Sequence, residues 1–417
     1  MKRLCVTLAF MLAGVSLAAA SEVAPDLLVV RTQAQWQAVI ASGQSTPLDA
    51  LTPHAKQAVV EKMSGAWDER GLHTLPIGEL IRQLDREQLR AVLTFLGSEA
   101  YLPFAEAQLV GAPLRLAAPS AAVWRNWQRL QSVLTPASAS GAESHSTALA
   151  SSASVDTYLT LFGNRMSAQG LRQQPPGDLL LLFDAAAITD LLNPGSPAFG
   201  DLLRVHRELA RRGVDTRRTL DDTVLRAMVA AREFAQARSF VANRPLLASK
   251  PIPQVVDHLG KAFAGRSIFD YDSAAHTLVR KALPAAGEIE LVMVVNANCQ
   301  PSRRALDALR ADPVLRASLQ GANLTIIVPP ASAIPYGFVA DWNAANPALP
   351  IRIPFDVREW SSVNTQRVPT FYLLKNGRVA GEVEGWPVEG NRAGLQAMLK
   401  QSTPEMMVGT PAQAPEK

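Results

Sequence analysis

The chain has 417 residues, of which 48% are hydrophobic and 19% are charged, and this balance excludes a disordered or fibrous protein. Its length exceeds what one ordinary core accommodates, so two or three domains are expected. The formal net charge of +4 is small and includes Lys2 and Arg3, so it gives no reason to expect a nucleic-acid partner.

Residues 1–20 have the pattern of a cleaved secretory signal peptide. Lys2 and Arg3 precede an apolar run over residues 4–17, and three small alanines follow before Ser21. A membrane anchor is disfavoured because the apolar run is short for a bilayer. We therefore expect an exported mature protein that begins near Ser21 and has no membrane span.

Removal of the signal peptide changes the cysteine count. The full chain has two cysteines, Cys5 and Cys299, and only Cys299 remains in the mature protein. No intramolecular disulfide can then form. A single cysteine in an exported protein indicates either an intermolecular bond or a free reactive thiol.

The sequence from 25 to 134 is typical of helices joined by capped turns. Thr52 and Pro53 are a cap and a first-position proline that open an amphipathic run to about Asp68. A capping-box pattern starts at Asp85, and Gly97 follows the helix that it opens. We therefore predict a helical domain over residues 25–134.

Residues 135–155 are small and polar, with almost no bulky apolar side chains, and are predicted to form a flexible linker. Helical patterns resume over residues 156–266, including a pair of helices across 221–244. No second copy of this pair follows at a fixed period, so an ordinary helical hairpin is favoured over a repeat array.

Four arginines follow one another closely in the second helical block, at Arg211, Arg212, Arg217 and Arg218. Cations at the end of a helix complement its dipole and are expected to remain solvated, and a patch for an acidic partner is the less favoured interpretation. The six histidines are scattered without metal-ligand spacing. We predict neither a metal site nor a cofactor.

From Glu288 onward, strand patterns alternate with helix patterns, and Asn376-Gly377 is a strong hairpin signal. The predicted fold class is multidomain: an all-α N-terminal region, then a C-terminal α/β domain whose central mixed sheet is flanked by helices. That domain is placed at residues 267–402, and residues 403–417 are predicted to be a disordered tail. The apolar strand segments are 288–296, 322–328, 351–357 and 368–374, and the helical segments are 301–309, 337–345 and 390–400.

Two motifs in this domain carry a family resemblance. Cys299-Gln300-Pro301-Ser302 follows a strand where thioredoxins have Cys-Gly-Pro-Cys, and Val368-Pro369-Thr370 stands where they have a cis-proline beside the active-site cysteine. Residues 267–402 thus resemble the thioredoxin-like superfamily, with a C-x-x-S form of its motif. The helical region is unmatched.

The resemblance implies a thiol at a helix N-terminus, where unpaired N–H groups and the helix dipole favour the thiolate, the nucleophile in disulfide exchange. A cis-proline would set a backbone edge against which an extended peptide could pair. The candidate catalytic residues are Cys299, Pro301, Ser302 and Pro369. The candidate substrate-binding residues are Asn298, Gln300, Val368 and Thr370.

Three positions depart from the family pattern. Ser302 replaces the second cysteine, so no internal thiol can release a mixed disulfide on Cys299. Met293 stands where many thioredoxins carry a buried acid, and Asn298 replaces the usual tryptophan. A complete dithiol cycle within this chain is therefore not expected.

The stretch between the two motifs is longer than in compact thioredoxins, with additional sequence around residues 329–354. This insert is a candidate specificity element or a lid of structural value. Tyr336, Trp342 and Trp360 could line a peptide groove, although aromatic residues in a compact α/β domain are more often part of the core.

Three functions remain open. Cys299 could capture or isomerise a partner's cysteines, with release by glutathione or another thiol protein. Alternatively, the chain could be a non-catalytic adaptor that binds a protein partner through its helical blocks and a degenerate thioredoxin-like domain. A third alternative is an oxidation sensor at Cys299. The resemblance and the signal peptide together favour the periplasm.

Overall fold

The computed structural model describes residues 29–64, 67–68, 71–72, 75–134, 147–248, 252–260, 262–284, 287–297, 299–329, 334–365 and 367–402. The predicted signal peptide, most of the predicted linker and the predicted C-terminal tail lie outside these residues. Within them, none of the helices combines the length and hydrophobicity that a membrane crossing requires.

Residues 29–109 form an N-terminal lobe with its own hydrophobic core. Thr52 caps one helix, and Asp85 forms a complete capping box on another, as predicted. The helix that Thr52 caps was predicted to continue to about Asp68, and this is wrong because it ends at Met63. Trp67 lies in a short strand and packs beside Trp36 in the core. The elements are α1 Gln33–Ser42, α2 Pro53–Met63, β1 Trp67–Asp68, β2 Gly71–Leu72, α3 Ile77–Gln83, α4 Arg86–Phe95 and α5 Leu102–Glu106.

Residues 114–134 and 147–248 form a central lobe of helices. Its elements are α6 Ala121–Leu134, α7 Thr147–Phe162, α8 Ala168–Gln173, α9 Pro176–Leu192, α10 Pro197–Arg211, α11 Leu220–Ala230 and α12 Phe234–Ala242. Residues 147–155 of the predicted linker are helical in α7, whose Tyr158 and Phe162 are fully buried. Trp127 of α6 belongs to the same core as α7 and α9, so α6 belongs to this lobe rather than to the predicted domain 25–134.

The predicted solvation of the arginine cluster is only partly correct. Arg212 donates hydrogen bonds to the carbonyl oxygens of Leu171 and Gln174 at the end of α8. Arg218 is only 5% exposed. Arg212 and Arg218 are therefore packed within the central lobe, whereas Arg211 and Arg217 are exposed to solvent as predicted.

Residues 252–402 form the C-terminal α/β domain, with a mixed eight-stranded sheet in the order β10-β9-β6-β7-β8-β4-β5-β3. The strands are β3 Gln254–Asp257, β4 Ser267–Asp272, β5 Thr277–Ala282, β6 Ile289–Val294, β7 Leu324–Ile327, β8 Ile351–Pro354, β9 Thr370–Lys375 and β10 Arg378–Glu384. The helices are α13 Gln300–Ala311, α14 Pro313–Gly321, α15 Tyr336–Ala345 and α16 Arg392–Ser402. This arrangement, after a helical N-terminal region, confirms the predicted fold class.

The boundary of this domain differs from the predicted residue 267. Strand β3 falls inside the predicted helical block 156–266, yet it pairs in parallel with β5 at the edge of the sheet. Its residues alternate little in burial, so their pattern carries a weak strand signal. The domain therefore begins before β3.

Strand β6 pairs in parallel with β7 and antiparallel with β9, and β9 forms a hairpin with β10. Asn376 and Gly377 turn this hairpin with φ angles of 50° and 75°, which is the positive range that the predicted two-residue turn requires. The end of β6 and the start of β9 are consequently adjacent, since Val294 pairs with Thr370. The Cys299 motif and the Pro369 motif meet there.

Side chains of the central lobe pack directly on the sheet. Phe234 and Phe269 make an edge contact with ring centroids 5.7 Å apart. Arg232 donates to the carbonyl oxygens of Pro354 and Phe355, at the end of β8. Between the N-terminal and central lobes, Arg82 forms a bidentate ion pair with Asp184 and so joins the N-terminal lobe to α9. The three regions therefore surround a common space near the end of β6.

Candidate functional site

Cys299 lies at the end of the turn that connects β6 to α13. It is the N-cap residue of α13, with extended backbone angles of φ −96° and ψ 113°. Its carbonyl oxygen accepts the amide of Arg303 at 3.1 Å, and its own amide donates to the carbonyl of Asn296 at 3.1 Å. The thiol is partly exposed and forms no disulfide. The turn thus fixes the thiol at the start of the helix, where N–H groups lack intrahelical acceptors.

The second motif lies directly against this thiol. The Sγ atom of Cys299 is 3.5 Å from the carbonyl oxygen of Val368, to which the thiol donates a hydrogen bond. The Val368–Pro369 peptide bond is cis. Pro369 is buried, and its carbonyl oxygen accepts the amide of Gly385 at 2.8 Å. The structure therefore brings Cys299, Val368 and Pro369 together.

Ser302 is fully buried beneath this turn. Its Oγ accepts the amide of Asn296 at 3.2 Å, and within the described residues no hydrogen bond joins it to Cys299. Gln300 is exposed beside the thiol, and Pro301 lies in the first turn of α13, where its missing N–H costs nothing. Ser302 thus holds the turn that carries Cys299. The candidate Asn298 lies outside the described residues.

Thr370 does not fit its predicted role in contacting a substrate. It is 0% exposed and begins β9, where it pairs with Val294 on one side and Glu384 on the other. Its buried side chain therefore offers no surface to a partner. Among the two residues flanking Pro369, only Val368 is partly exposed.

The aromatic residues of the insert are mostly structural. Trp342 and Trp360 are buried, and the indole N–H of Trp342 donates to the carbonyl of Leu349 at 2.7 Å. Tyr336 stacks on Tyr271 with ring centroids 5.2 Å apart, and burial raises the pKa of its phenol. The two tryptophans are therefore core residues, and neither of them lines a groove.

A loop that the sequence did not indicate lies beside Pro369 and α13. It follows β10 and is held by the bond from Gly385 to Pro369 and by Arg304, which donates to the carbonyl of Trp386 at 3.0 Å. Val388 in this loop is 79% exposed. The only local signal was the Gly-Trp-Pro sequence of a turn, which does not reveal that the loop contacts Pro369 and α13.

A cleft of about 790 Å³ opens beside the same turn, and Asn296 and Ala297 form part of its wall. Asp190 from α9 also lines it. Burial raises the pKa of the Asp190 carboxyl to about 7, although the amide of Gly195 donates to this carboxyl at 2.9 Å and acts in the opposite direction. Sequence reasoning missed Asp190 because nothing in the helical pattern shows which lobe faces Cys299.

Two solved bacterial structures resemble this chain at low TM-scores. The C-terminal domain of an uncharacterized protein from Bacteroides fragilis has 18% identity and a TM-score of 0.21, over 32% of this chain and 93% of its own. A thioredoxin-like protein from Bacteroides caccae has 13% identity and a TM-score of 0.21, over 70% of this chain and 99% of its own. No family model and no curated protein matches the sequence. At such TM-scores neither likeness carries an argument, so the chain's own strand order and register support the thioredoxin-like fold.

Proposed function

We propose that this protein is an exported, periplasmic thiol-disulfide exchange protein that acts through one cysteine, Cys299. The observation that carries the proposal is the position of the thiol. It is partly exposed, caps α13, and lies 3.5 Å from the carbonyl of Val368, next to Pro369. A thiol at a helix start has N–H groups nearby that stabilise a thiolate, and thiolate is the attacking species in disulfide exchange.

The proposed reaction conserves atoms and electrons without any added oxidant. The Cys299 thiolate attacks one sulfur of a partner's disulfide, which forms a mixed disulfide and releases the other partner sulfur as a thiolate. A different cysteine thiolate of the partner then attacks the partner sulfur of the mixed disulfide, which forms a new disulfide in the partner and releases Cys299 as a thiolate. The net result is isomerisation of the partner's disulfides.

Release can also come from outside the complex, because Ser302 supplies no second thiol. Glutathione or another thiol protein would attack the partner's sulfur in the mixed disulfide. The partner then leaves bound to that thiol, and Cys299 leaves as a thiolate. The partner class is therefore a polypeptide with a cysteine or a disulfide.

A non-catalytic adaptor is the second candidate function. Ser302 is fully buried and hydrogen-bonded to the Asn296 amide, so the hydroxyl serves the turn and cannot exchange electrons. Residues of both helical lobes also line the cleft that reaches this turn. Under this alternative, partners bind there without a covalent step.

Trapping of a mixed disulfide tests the proposal. We expect the mature protein, incubated with a model protein whose disulfides are scrambled, to form an adduct that glutathione releases and to speed recovery of native disulfides. Cys299→Ser should do neither, because the hydroxyl is not a nucleophile for disulfides. Products are followed by non-reducing electrophoresis and intact mass.

Protein alkylated at Cys299 before the assay is the matched control, since it keeps the folded chain and lacks only the thiol. Adduct formation by Cys299→Ser, or none by the unmodified protein, would contradict the exchange function. Binding of the scrambled protein without an adduct would favour the adaptor.

A further inference from the structure

The cleft beside Cys299 is bounded by all three regions of the protein. Lys62 and the start of α3 contribute from the N-terminal lobe, α9 and α11 contribute from the central lobe, and Asn296 and Ala297 contribute from the turn that carries Cys299. A second cavity of about 700 Å³, which reaches Trp124 and His54, shares Arg82, Trp127 and Asp184 with it. The two cavities therefore adjoin at these shared side chains, and we call them together the groove; the first of them reaches the turn that carries Cys299.

The wall of this groove near Cys299 is predominantly apolar. Its apolar lining residues include Leu75, Ile77, Trp127, Ile188, Leu191, Ala297 and Val328. Arg82 forms ion pairs with Asp184 at 2.7 Å and with Glu79 at 3.7 Å, and the cations Lys62 and Arg226 also line the cleft, so charges of both signs are present. Such a lining favours an uncharged, apolar occupant over a strongly charged one.

Two polar atoms of the lining residues lack a hydrogen-bond partner within the described residues, the Nε of Arg82 and the Oδ2 of Asp190. Asp190 is 1% exposed, and one of its carboxyl oxygens accepts the amide of Gly195. Within the described part of the chain, its Oδ2 atom has no hydrogen-bond partner. Buried polar atoms are almost always hydrogen-bonded in folded proteins, so this oxygen calls for a partner. The backbone of a bound peptide carries both N–H donors and carbonyl acceptors, together with apolar side chains.

We propose that this groove binds an extended apolar segment of the polypeptide whose cysteine reacts with Cys299. The proposal rests on the exchange function and names its substrate class, an unfolded or locally opened polypeptide. Continuity supports it, because Asn296 bonds through its backbone to both Cys299 and Ser302 while also lining the groove. The helical lobes thus provide the binding surface, and the turn provides the thiol.

Binding is measured first, without the thiol chemistry. The probe is a fluorescent peptide rich in leucine and valine, with serine in place of its cysteine, and anisotropy reports its dissociation constant. Leu191→Lys places a charge in the apolar wall and should weaken binding about tenfold. Leu246→Lys is the matched control, because Leu246 is 49% exposed against 46% for Leu191 and lies outside the groove lining.

Reaction is measured second, with the same peptide carrying cysteine as an activated disulfide. Cys299 displaces the leaving thiol and forms the mixed disulfide with the peptide. Leu191→Lys should slow this reaction about tenfold, while a small activated disulfide should react with both variants at the same rate. Preference for the apolar peptide over a serine-rich peptide should disappear in Leu191→Lys.

The binding measurement tests the groove, and the reaction measurement tests the exchange function, so the two proposals can fail separately. Equal binding of the serine-containing probe to Leu191→Lys and Leu246→Lys, or no binding to the unaltered protein, would overturn the groove assignment whatever Cys299 does. Failure of Cys299 to react with the small disulfide would instead contradict the exchange function, and the binding arm would still decide the groove.

Discussion

Replacing Ser302 by cysteine is expected to convert a thiol that holds its partners into one half of a dithiol pair. Residues 299 and 302 are three apart at the start of α13, so their side chains lie on one face of the first turn. The introduced thiolate would attack the Cys299 sulfur of a mixed disulfide, form an internal disulfide and release the partner as a thiol. We expect adduct lifetime to fall by about a hundredfold, because the attack is intramolecular.

The measurement is the amount of trapped adduct over time, together with reduction of a model disulfide protein in the presence of dithiothreitol. Ser302→Cys should gain turnover in the second assay. Ser318→Cys is the control, because it adds a thiol at an exposed position of α14. Persistent adducts and no turnover in Ser302→Cys, with the added thiol shown to be present, would refute the monothiol account. Loss of the bond from the Asn296 amide should destabilise the variant by about 1 kcal/mol.

Asp190→Asn is expected to change the pH dependence of stability more than any surface substitution. Burial raises the pKa of this carboxyl from 3.8 to about 7, so the folded state retains a proton that the unfolded state has lost between these values. The free energy of unfolding therefore falls as pH rises from about 4 to 7, and the whole of this loss persists above pH 7. Asparagine cannot ionise. Relative to the parent, the variant should gain as much as about 4 kcal/mol on going from pH 4 to pH 8.

Urea unfolding at pH 4 and pH 8 checks this expectation, since the quantity of interest is the difference between the two pH values. Asp307→Asn is the control, because Asp307 is an exposed carboxylate in a surface ion pair with Arg310, where effects stay within about 1 kcal/mol. A variant whose stability relative to the parent falls on going from pH 4 to pH 8 would show that the Asp190 carboxylate is stabilised in the fold.

The sequence allowed prediction of those features that local chemistry determines. Asn376 and Gly377 determined the hairpin because only a few residues adopt positive φ angles readily. The apolar run of β6, ending before Cys299 and Pro301, likewise determined a buried strand followed by a helix. Thr52 and Asp85 marked helix starts through their capping side chains. Each of these signals acts within a few residues.

Features that depend on distant contacts could not be predicted. Strand β3 exists because it pairs with β5, and α6 joins the central lobe because Trp127 packs there. Residues 147–155 are poor in bulky side chains, yet they continue a helix whose later residues, Tyr158 among them, are anchored in the core. Asp190 became a candidate only when the lobes were seen around the turn of Cys299.

The most direct test of the central claim compares the reactivity of Cys299 in the folded and unfolded chain. Mature protein in buffer and in urea at neutral pH is mixed with a small activated disulfide, and each rate is divided by that of a free cysteine peptide in the same solvent. We predict that folded protein reacts about tenfold faster or more, because the helix start stabilises the attacking thiolate. A slower reaction in the folded chain would contradict the account, since Cys299 would then be a thiol that the fold protects rather than activates.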